Sequence, residues 1–201
     1  MSKKSKKLWK IAKIVLISAL VLAVLAVGLY FFLLFHGLTK NQSTEDLTEY
    51  ESYLNTDEHY DEAQDYMPAL KDCGEYRGGT VSLRRHRSMF SFNSYALFLD
   101  YDAEEYEAQK KAIQERQRFL TETTDVYRDV DAEWNGFSVR PVLLNEDWDK
   151  YESVKTNLFI GFDDEAHRIL YACFGDNELD EIDDLNETLD YYFFCPKQLK
   201  K

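Results

Sequence analysis

The sequence lacks the short motifs on which most predictions of enzymatic chemistry rest. Its 201 residues contain no G-x-S-x-G nucleophile elbow, P-loop, G-x-G-x-x-G turn, C-x-x-C pair or H-E-x-x-H helix. The four histidines show no metal-ligand spacing. The sequence therefore predicts no catalytic residue, no metal site and no cofactor.

Acidic side chains are missing from the first 39 residues, and after them acidic residues outnumber basic ones about two to one. Six of the 24 basic residues, all lysines, lie in that first stretch, so the remaining chain carries 18 basic and 37 acidic residues and a formal charge of −19. Phosphate binding needs clustered lysine and arginine, so this acidic body argues against nucleic acid as a partner. A basic head on an acidic body suggests instead that the head contacts a membrane or a polyanion.

The one long apolar run covers residues 14–35, IVLISALVLAVLAVGLYFFLLF, and contains no charge. As a helix it would be about 33 Å long, which exceeds the roughly 30 Å of a bilayer's hydrocarbon core. We therefore expect a single transmembrane helix that contacts the lipid bilayer. Because lysines precede the run and none directly follows it, residues 1–13 are predicted to be cytoplasmic and the rest of the chain to lie outside the cell membrane.

A cleaved signal peptide is the alternative interpretation of this run. The apolar region of a signal peptide is typically about 7–15 residues long and is followed by small residues at the cleavage site. Here the run is longer and ends in Tyr-Phe-Phe-Leu-Leu-Phe, while Ala23 and Ala26 lie inside it. The sequence favours an uncleaved anchor.

Beyond the span, the pattern predicts an acidic, partly helical stalk at residues 36–67 and an α+β domain at residues 68–201. Within the stalk, Leu47, Tyr50 and Leu54 recur at helical spacing. The mixture of strand and helix patterns, with hairpins more frequent than βαβ signals, predicts a small domain with a mostly antiparallel sheet and one long packed helix.

Several local signals place elements within this domain. Asp102 with Glu105 three residues later has the capping-box spacing, so a helix is expected from Asp102 to about Leu120. Pro141 between two apolar runs indicates an edge position or a bulge. A hairpin is predicted around residues 163–167, because β-rich runs flank them on both sides.

A final helix is expected at residues 177–190, with Leu179, Ile182, Leu185 and Leu189 on one face. The same acidic region invites comparison with a calcium-binding loop. An EF-hand loop needs glycine at its sixth position, where this chain has Glu181, so the helix is favoured.

The candidate binding site is a basic strip of four residues, Arg84, Arg85, His86 and Arg87, in an otherwise acidic body. On a strand, Arg85 and Arg87 would point to one side, and Arg84 and His86 to the other. The strip is a hypothetical site for an anionic wall polymer, phospholipid headgroup or acidic partner. The alternative is internal ion pairing, since unpaired acid is plentiful in this chain.

Three cysteines, Cys73, Cys173 and Cys195, allow one disulfide and leave one thiol over. Thiols outside the cytoplasm can oxidise. Because Cys73 precedes a glycine turn and Cys195 is near the end of the chain, these two are the predicted pair, and Cys173 is expected to be a buried thiol in a strand.

The layout of basic head, single span, acidic stalk and small α+β domain resembles that of signal-anchored proteins of Gram-positive bacteria, which implies a cell-membrane location and no particular activity. We expect the outer domain to bind an extracytoplasmic protein or an envelope ligand. Two alternatives are a tethered enzyme that uses carboxylates, for example on envelope glycans, and a sensor that acts through a partner helix.

Overall fold

In the computed structural model the chain forms two compact units, Met1–Thr39 and Lys40–Lys201. The structure describes residues 3–36, 39–44, 46–56, 66–86, 92–124, 126–143, 156–176 and 182–193.

The first unit is dominated by one long helix, α1 (Lys3–His36). Its segment Lys13–Phe32 is long and apolar enough to cross a membrane, and none of that segment is buried within the protein. Leucine, valine, isoleucine and phenylalanine side chains are exposed all along it. Within the described residues it is the one helix of this kind.

The second unit is built on an antiparallel sheet. In chain order its strands are β1 (Thr39–Thr44), β2 (Gly78–His86), β3 (Phe92–Asp100), β4 (Ala132–Trp134), β5 (Phe137–Pro141), β6 (Thr156–Asp163) and β7 (Arg168–Asp176). They lie side by side in the order β1-β2-β3-β7-β6-β5-β4. Each strand from β2 to β4 in that order pairs antiparallel with the next.

Helices cover both sides of this sheet. The helices α2 (Leu47–Thr56) and α3 (Ala103–Arg116) pack on one side through Tyr50, Tyr106 and Ile113. The helix α4 (Leu185–Tyr192) packs on the other side. Because the central strands are covered on both sides, their side chains are buried without alternation, as in Tyr95 to Leu99 of β3. The predicted mixture of helices with an antiparallel sheet is therefore confirmed.

The predicted capping residue and hairpin are also confirmed. Asp102 precedes α3 and its carboxylate accepts a hydrogen bond from the Glu105 amide at 2.9 Å. The β6–β7 hairpin turns at residues 164–167. Pro141 ends β5 beyond the last residue that β4 reaches, so its missing N–H group faces no strand on that side.

Of the helix predicted at residues 177–190, residues 177–181 lie outside the described residues, and the described helix begins at Leu185. Ile182 forms instead a parallel bridge with Tyr127, and its backbone exchanges hydrogen bonds with Val126 and Arg128. Helical spacing of apolar residues was misleading here because Ile182 is buried against the same cluster as α4 without belonging to that helix. The Asp184 carboxylate then caps α4 by accepting from the Glu187 amide at 3.0 Å.

The compact second unit includes the region predicted as a stalk from Lys40 onward. Within it, Tyr50 is fully buried and its hydroxyl donates to the Pro68 carbonyl at 2.8 Å. The predicted division at residue 68 stays a prediction.

Candidate functional site

The predicted basic strip lies at the end of β2. In the sheet register Arg84 is opposite Ser94, Arg85 is opposite Asn93, and His86 is opposite Phe92. Arg87 lies outside the described residues. The assignment of these four residues as an anion-binding strip therefore stays a prediction.

The predicted disulfide has only one partner in the described part of the chain. Cys73 is buried, and its Sγ lies 3.4 Å from the Ala69 carbonyl oxygen. Burial raises the pKa of this thiol to about 12, which keeps it protonated and unreactive at neutral pH. Cys195 lies outside the described residues, so the Cys73–Cys195 pair stays a prediction, while Cys173 is buried in β7 as expected.

A different region forms an open cleft, and it begins with the β4–β5 turn. Asn135 and Gly136 make this two-residue turn with φ of 53° and 90°. Positive φ at both positions is the type I′ geometry that Asn-Gly favours, and it matches the twist of the flanking strands. A side chain at position 136 would also approach the Asp163 carboxylate at 3.3 Å, so glycine fits this position for two reasons.

The β6–β7 turn lies next to it and is organised by Asp163. This carboxylate is buried and pairs with the Arg168 guanidinium. Its Oδ1 also accepts from the Glu165 and Ala166 amides, at 3.2 and 2.9 Å. The guanidinium of Arg168 lies 5.0 Å from the Phe137 ring centre. The ion pair thus closes the β6–β7 turn, and the contact of Arg168 with Phe137 connects that turn to the β4–β5 hairpin.

The neighbouring Asp164 connects this turn to α3. Its Oδ1 accepts from Lys110 Nζ at 2.5 Å and from the Tyr106 hydroxyl. The hydrogen bond from Lys110, followed by that from Tyr106, holds the pKa of Asp164 below its ordinary value. The same Lys110 ammonium lies 5.7 Å from the Tyr106 ring centre and 5.6 Å from that of Phe162.

Between these parts lies an open cleft of about 890 Å³, which we call the acidic cleft. It is lined by the two turns, residues 135–136 and 163–166, together with Glu133, Ser138, Phe162 and Arg168. A smaller pocket of about 200 Å³, here called the lysine pocket, shares Ser138, Phe162 and Asp164 with it and adds Lys110, Gln114, Phe119, Arg140 and Ile160. The acidic cleft has a volume within the roughly 300–1,000 Å³ of ordinary ligand sites.

The acidic cleft and the lysine pocket occupy a part of the sheet that α3 leaves uncovered. Along β5, Phe137 and Val139 are buried, whereas Ser138 and Arg140 are exposed, and Glu133 of β4 is exposed likewise. These exposed residues and α3 lie on the same side of the sheet, since Lys110 and Gln114 line the lysine pocket with them.

The chemistry of this site is that of binding by charge and aromatic surface. No group of three or more His, Cys, Asp or Glu residues suited to a metal ion occurs within the described ranges. Asp100, a carboxyl whose pKa burial raises, lies on β3 and does not line the acidic cleft.

Sequence analysis did not predict this site, because its parts come from three separate segments of the chain. The Trp134-Asn135-Gly136-Phe137 stretch is a strong hairpin signal and would have revealed the β4–β5 turn. No sequence pattern relates that turn to Asp163 or Lys110.

Compared with known proteins, the chain matches no family model, no curated protein and no solved structure.

Proposed function

We propose that this chain is a single-pass membrane protein, with its N-terminus in the cytoplasm, whose acidic domain binds a partner protein or an envelope ligand outside the cell membrane. The observation that carries the proposal is the exposure of apolar side chains on every side of Lys13–Phe32. Each large aliphatic side chain left in water forgoes about 1.5–3 kcal/mol of burial, so a segment of this kind requires a nonaqueous surrounding. A bilayer supplies it over a matching length.

The flanking charges support the proposed orientation. Six lysines precede the span or stand at its first position, and such an excess favours the cytoplasmic side. The cation of Lys13 also lies 5.3 Å from the Trp9 ring centre, and a tryptophan near the basic end suits the membrane interface.

The acidic cleft supports a binding role for the outer domain. It is concave, combines charged groups with an aromatic ring, and is held in shape by the Asp163–Arg168 pair. The enzymatic alternative has less support, because Asp100, a carboxyl whose pKa burial raises, is not among the residues that line the cleft. The sensor alternative requires a partner helix that carries the signal through the span.

Membrane topology is tested on the full chain in its own cells. We expect the protein to resist alkaline carbonate extraction, and added protease to remove the domain after residue 40 while an N-terminal epitope stays protected. A matched variant with Lys3, Lys4, Lys6 and Lys7 all replaced by Gln should lose this uniform orientation. A mature N-terminus between residues 24 and 45 by mass analysis would show a cleaved signal and contradict the anchor.

Binding is tested by placing a photocrosslinking amino acid in the full chain. At Ser138, in the acidic cleft, we expect a discrete adduct on illumination. At Ala108, exposed on α3 and outside the residues that line either depression, we expect none. Equal labelling at both positions, or at neither, would contradict a binding role for this face.

A further inference from the structure

We propose that the acidic cleft and the lysine pocket form one trough that binds an extended peptide segment of a partner, with a lysine or arginine side chain in the acidic cleft and an apolar side chain in the lysine pocket. This inference rests on the proposed binding function and names its ligand. The two depressions share Ser138, Phe162 and Asp164 and lie on a part of the sheet that α3 does not cover, so a ligand can occupy both.

Charge complementarity selects a cationic group for the acidic cleft. Four carboxylates line it, those of Glu133, Asp163, Asp164 and Glu165, against the single guanidinium of Arg168. Asp163 is neutralised by Arg168 and Asp164 by Lys110. Glu133 and Glu165 remain as exposed charges at the mouth of the cleft, where a partner's ammonium or guanidinium can reach them.

The wall of the trough already holds an ammonium of the protein's own. Lys110 Nζ lies over the Tyr106 and Phe162 rings while it bonds to the Asp164 carboxylate. Aromatic faces together with a carboxylate are the surroundings in which cations are bound with the largest gain. The Lys110 contact therefore shows that this wall stabilises an amine, and it competes with any amine that enters from outside.

Two aromatic rings in the lysine pocket offer an apolar side chain a surface beside the pocket's polar residues. The Phe119 and Phe162 rings lie 6.2 Å apart, with Ile160 beside them. The cations that line this pocket are engaged within the domain, since Arg140 pairs with Asp131 at 2.5 Å and Lys110 with Asp164. An anionic group would have to displace those partners, whereas an aliphatic side chain would not.

A peptide can place one side chain in each depression, whereas a small amine would occupy the acidic cleft alone. The domain as a whole is also acidic, so a basic segment is drawn toward it over long range. An extended peptide presents every second side chain to the same side, so a basic and an apolar residue two positions apart can enter the two depressions together.

The test measures fluorescence anisotropy of labelled Lys-Ser-Leu-Ser-Lys, whose lysines and leucine share one side when extended, with the full chain in nonionic micelles. The variant Glu133→Gln/Glu165→Gln should raise the Kd about fivefold, because two exposed ion pairs are lost. The matched control Glu122→Gln/Glu187→Gln removes the same charge elsewhere on the surface and should leave the Kd within twofold. Equal weakening by the two double variants would mean attraction by overall acidity and would overturn the proposal.

A second pair of variants tests the wall. Lys110→Gln removes the competing ammonium and should tighten binding about threefold, whereas Lys111→Gln, with the same charge change at an exposed site on α3, should have less than half that effect. Equal effects of Lys110→Gln and Lys111→Gln on the Kd would overturn the proposal that the Lys110 ammonium competes with the ligand's cation.

Comparison ligands identify the occupant. Lys-Ser-Ser-Ser-Lys should bind at least threefold more weakly than Lys-Ser-Leu-Ser-Lys, and Glu-Ser-Leu-Ser-Glu should not bind. Competition by putrescine as effective as by unlabelled Lys-Ser-Leu-Ser-Lys would assign the trough to small diamines and overturn the peptide. Failure of every peptide to bind, with the membrane topology and the Ser138 adduct intact, would overturn this inference and leave the proposed function standing.

Discussion

At the scale of single residues, Asp163 has the largest structural role in the acidic cleft. Its carboxylate accepts from two backbone amides and from the Arg168 guanidinium, and both charged side chains are largely buried. Taking two charges out of water is costly, and their attraction offsets that cost only while both partners are present. The pair therefore stabilises one arrangement of the β6–β7 turn more than it stabilises the fold.

Asp163→Asn should lower the free energy of unfolding by about 2–4 kcal/mol, because it leaves the Arg168 charge buried without its partner. Asparagine can still accept the two turn hydrogen bonds, so the loss reports on the ion pair. Urea unfolding of the full chain in micelles measures the change, with the exposed Glu133→Gln as control. The double variant Asp163→Asn/Arg168→Met should recover part of the loss, and a loss equal to the sum of the single variants would contradict a coupled pair.

Asp100 should make the free energy of unfolding depend on pH with the opposite sign to that of most carboxylates. Burial raises its pKa above the ordinary 3.8, although Arg168 and Arg77 partly oppose the shift. A carboxyl with a raised pKa binds its proton more tightly when folded, so its contribution to stability falls as pH rises from 3.8 through the folded pKa. Asp100→Asn removes this loss. The variant should be at least as stable as the wild type at pH 7 and approach it as pH falls to 4, by urea unfolding at each pH. A variant less stable at pH 7, by a margin that grows with pH, would contradict the assignment.

At the scale of elements, the start of α3 is where local sequence and structure agree most closely. The Asp102 carboxylate satisfies the Glu105 amide, one of the first-turn donors that have no partner within the helix. This interaction needs only residues three apart, so the sequence predicts it without knowledge of the fold.

Replacing Asp102 by Ala should therefore cost about 1 kcal/mol in the free energy of unfolding. The matched control is Glu104→Ala, which removes a charge from the same turn but no capping bond, and it should cost less than half as much. Thermal unfolding of both variants under identical conditions separates the two effects. Equal losses would mean that charge near the helix terminus, rather than the cap, stabilises α3.

Elements that depend on distant partners were predicted less well than α3. Ile182 has the spacing of a helix with Leu185 and Leu189, yet it bridges to Tyr127 in a segment more than fifty residues earlier. Spacing reports which residues are buried, and a bridge and a helix can bury the same residue. In contrast, the β6–β7 hairpin was predicted because its strands are adjacent in sequence and its turn is short.

At the scale of the whole molecule, the candidate site could not be predicted because it depends on the order of the strands. The β4–β5 turn lies beside the β6–β7 turn because β5 pairs with β6, and Lys110 reaches Asp164 from α3 across more than fifty residues. The sequence shows the acids and the aromatic residues but not which of them meet. The basic strip at Arg84 to Arg87 was conspicuous because its residues are consecutive, whereas the acidic cleft is assembled from separated residues.

Sequence and structure give different boundaries for the unit that folds independently, and the two boundaries can be compared by experiment. We expect the fragment 40–201 to unfold cooperatively without α1, because both hydrophobic clusters of the domain consist of residues between Leu47 and Phe193. The fragment 68–201, which begins at the boundary predicted from sequence, lacks α2 and with it the fully buried Tyr50 and its bond to the Pro68 carbonyl. Loss of one buried aromatic side chain costs about 3–5 kcal/mol, a large part of the roughly 5–15 kcal/mol that stabilises a typical domain. The shorter fragment should therefore unfold at a much lower urea concentration or be unfolded in buffer.

The matched variant Tyr50→Ala in the fragment 40–201 should reproduce most of that loss, whereas Glu49→Ala, exposed on the same helix, should not. Equal stability of the two fragments by circular dichroism would mean that α2 belongs to a stalk, and the boundary at residue 68 would then be correct.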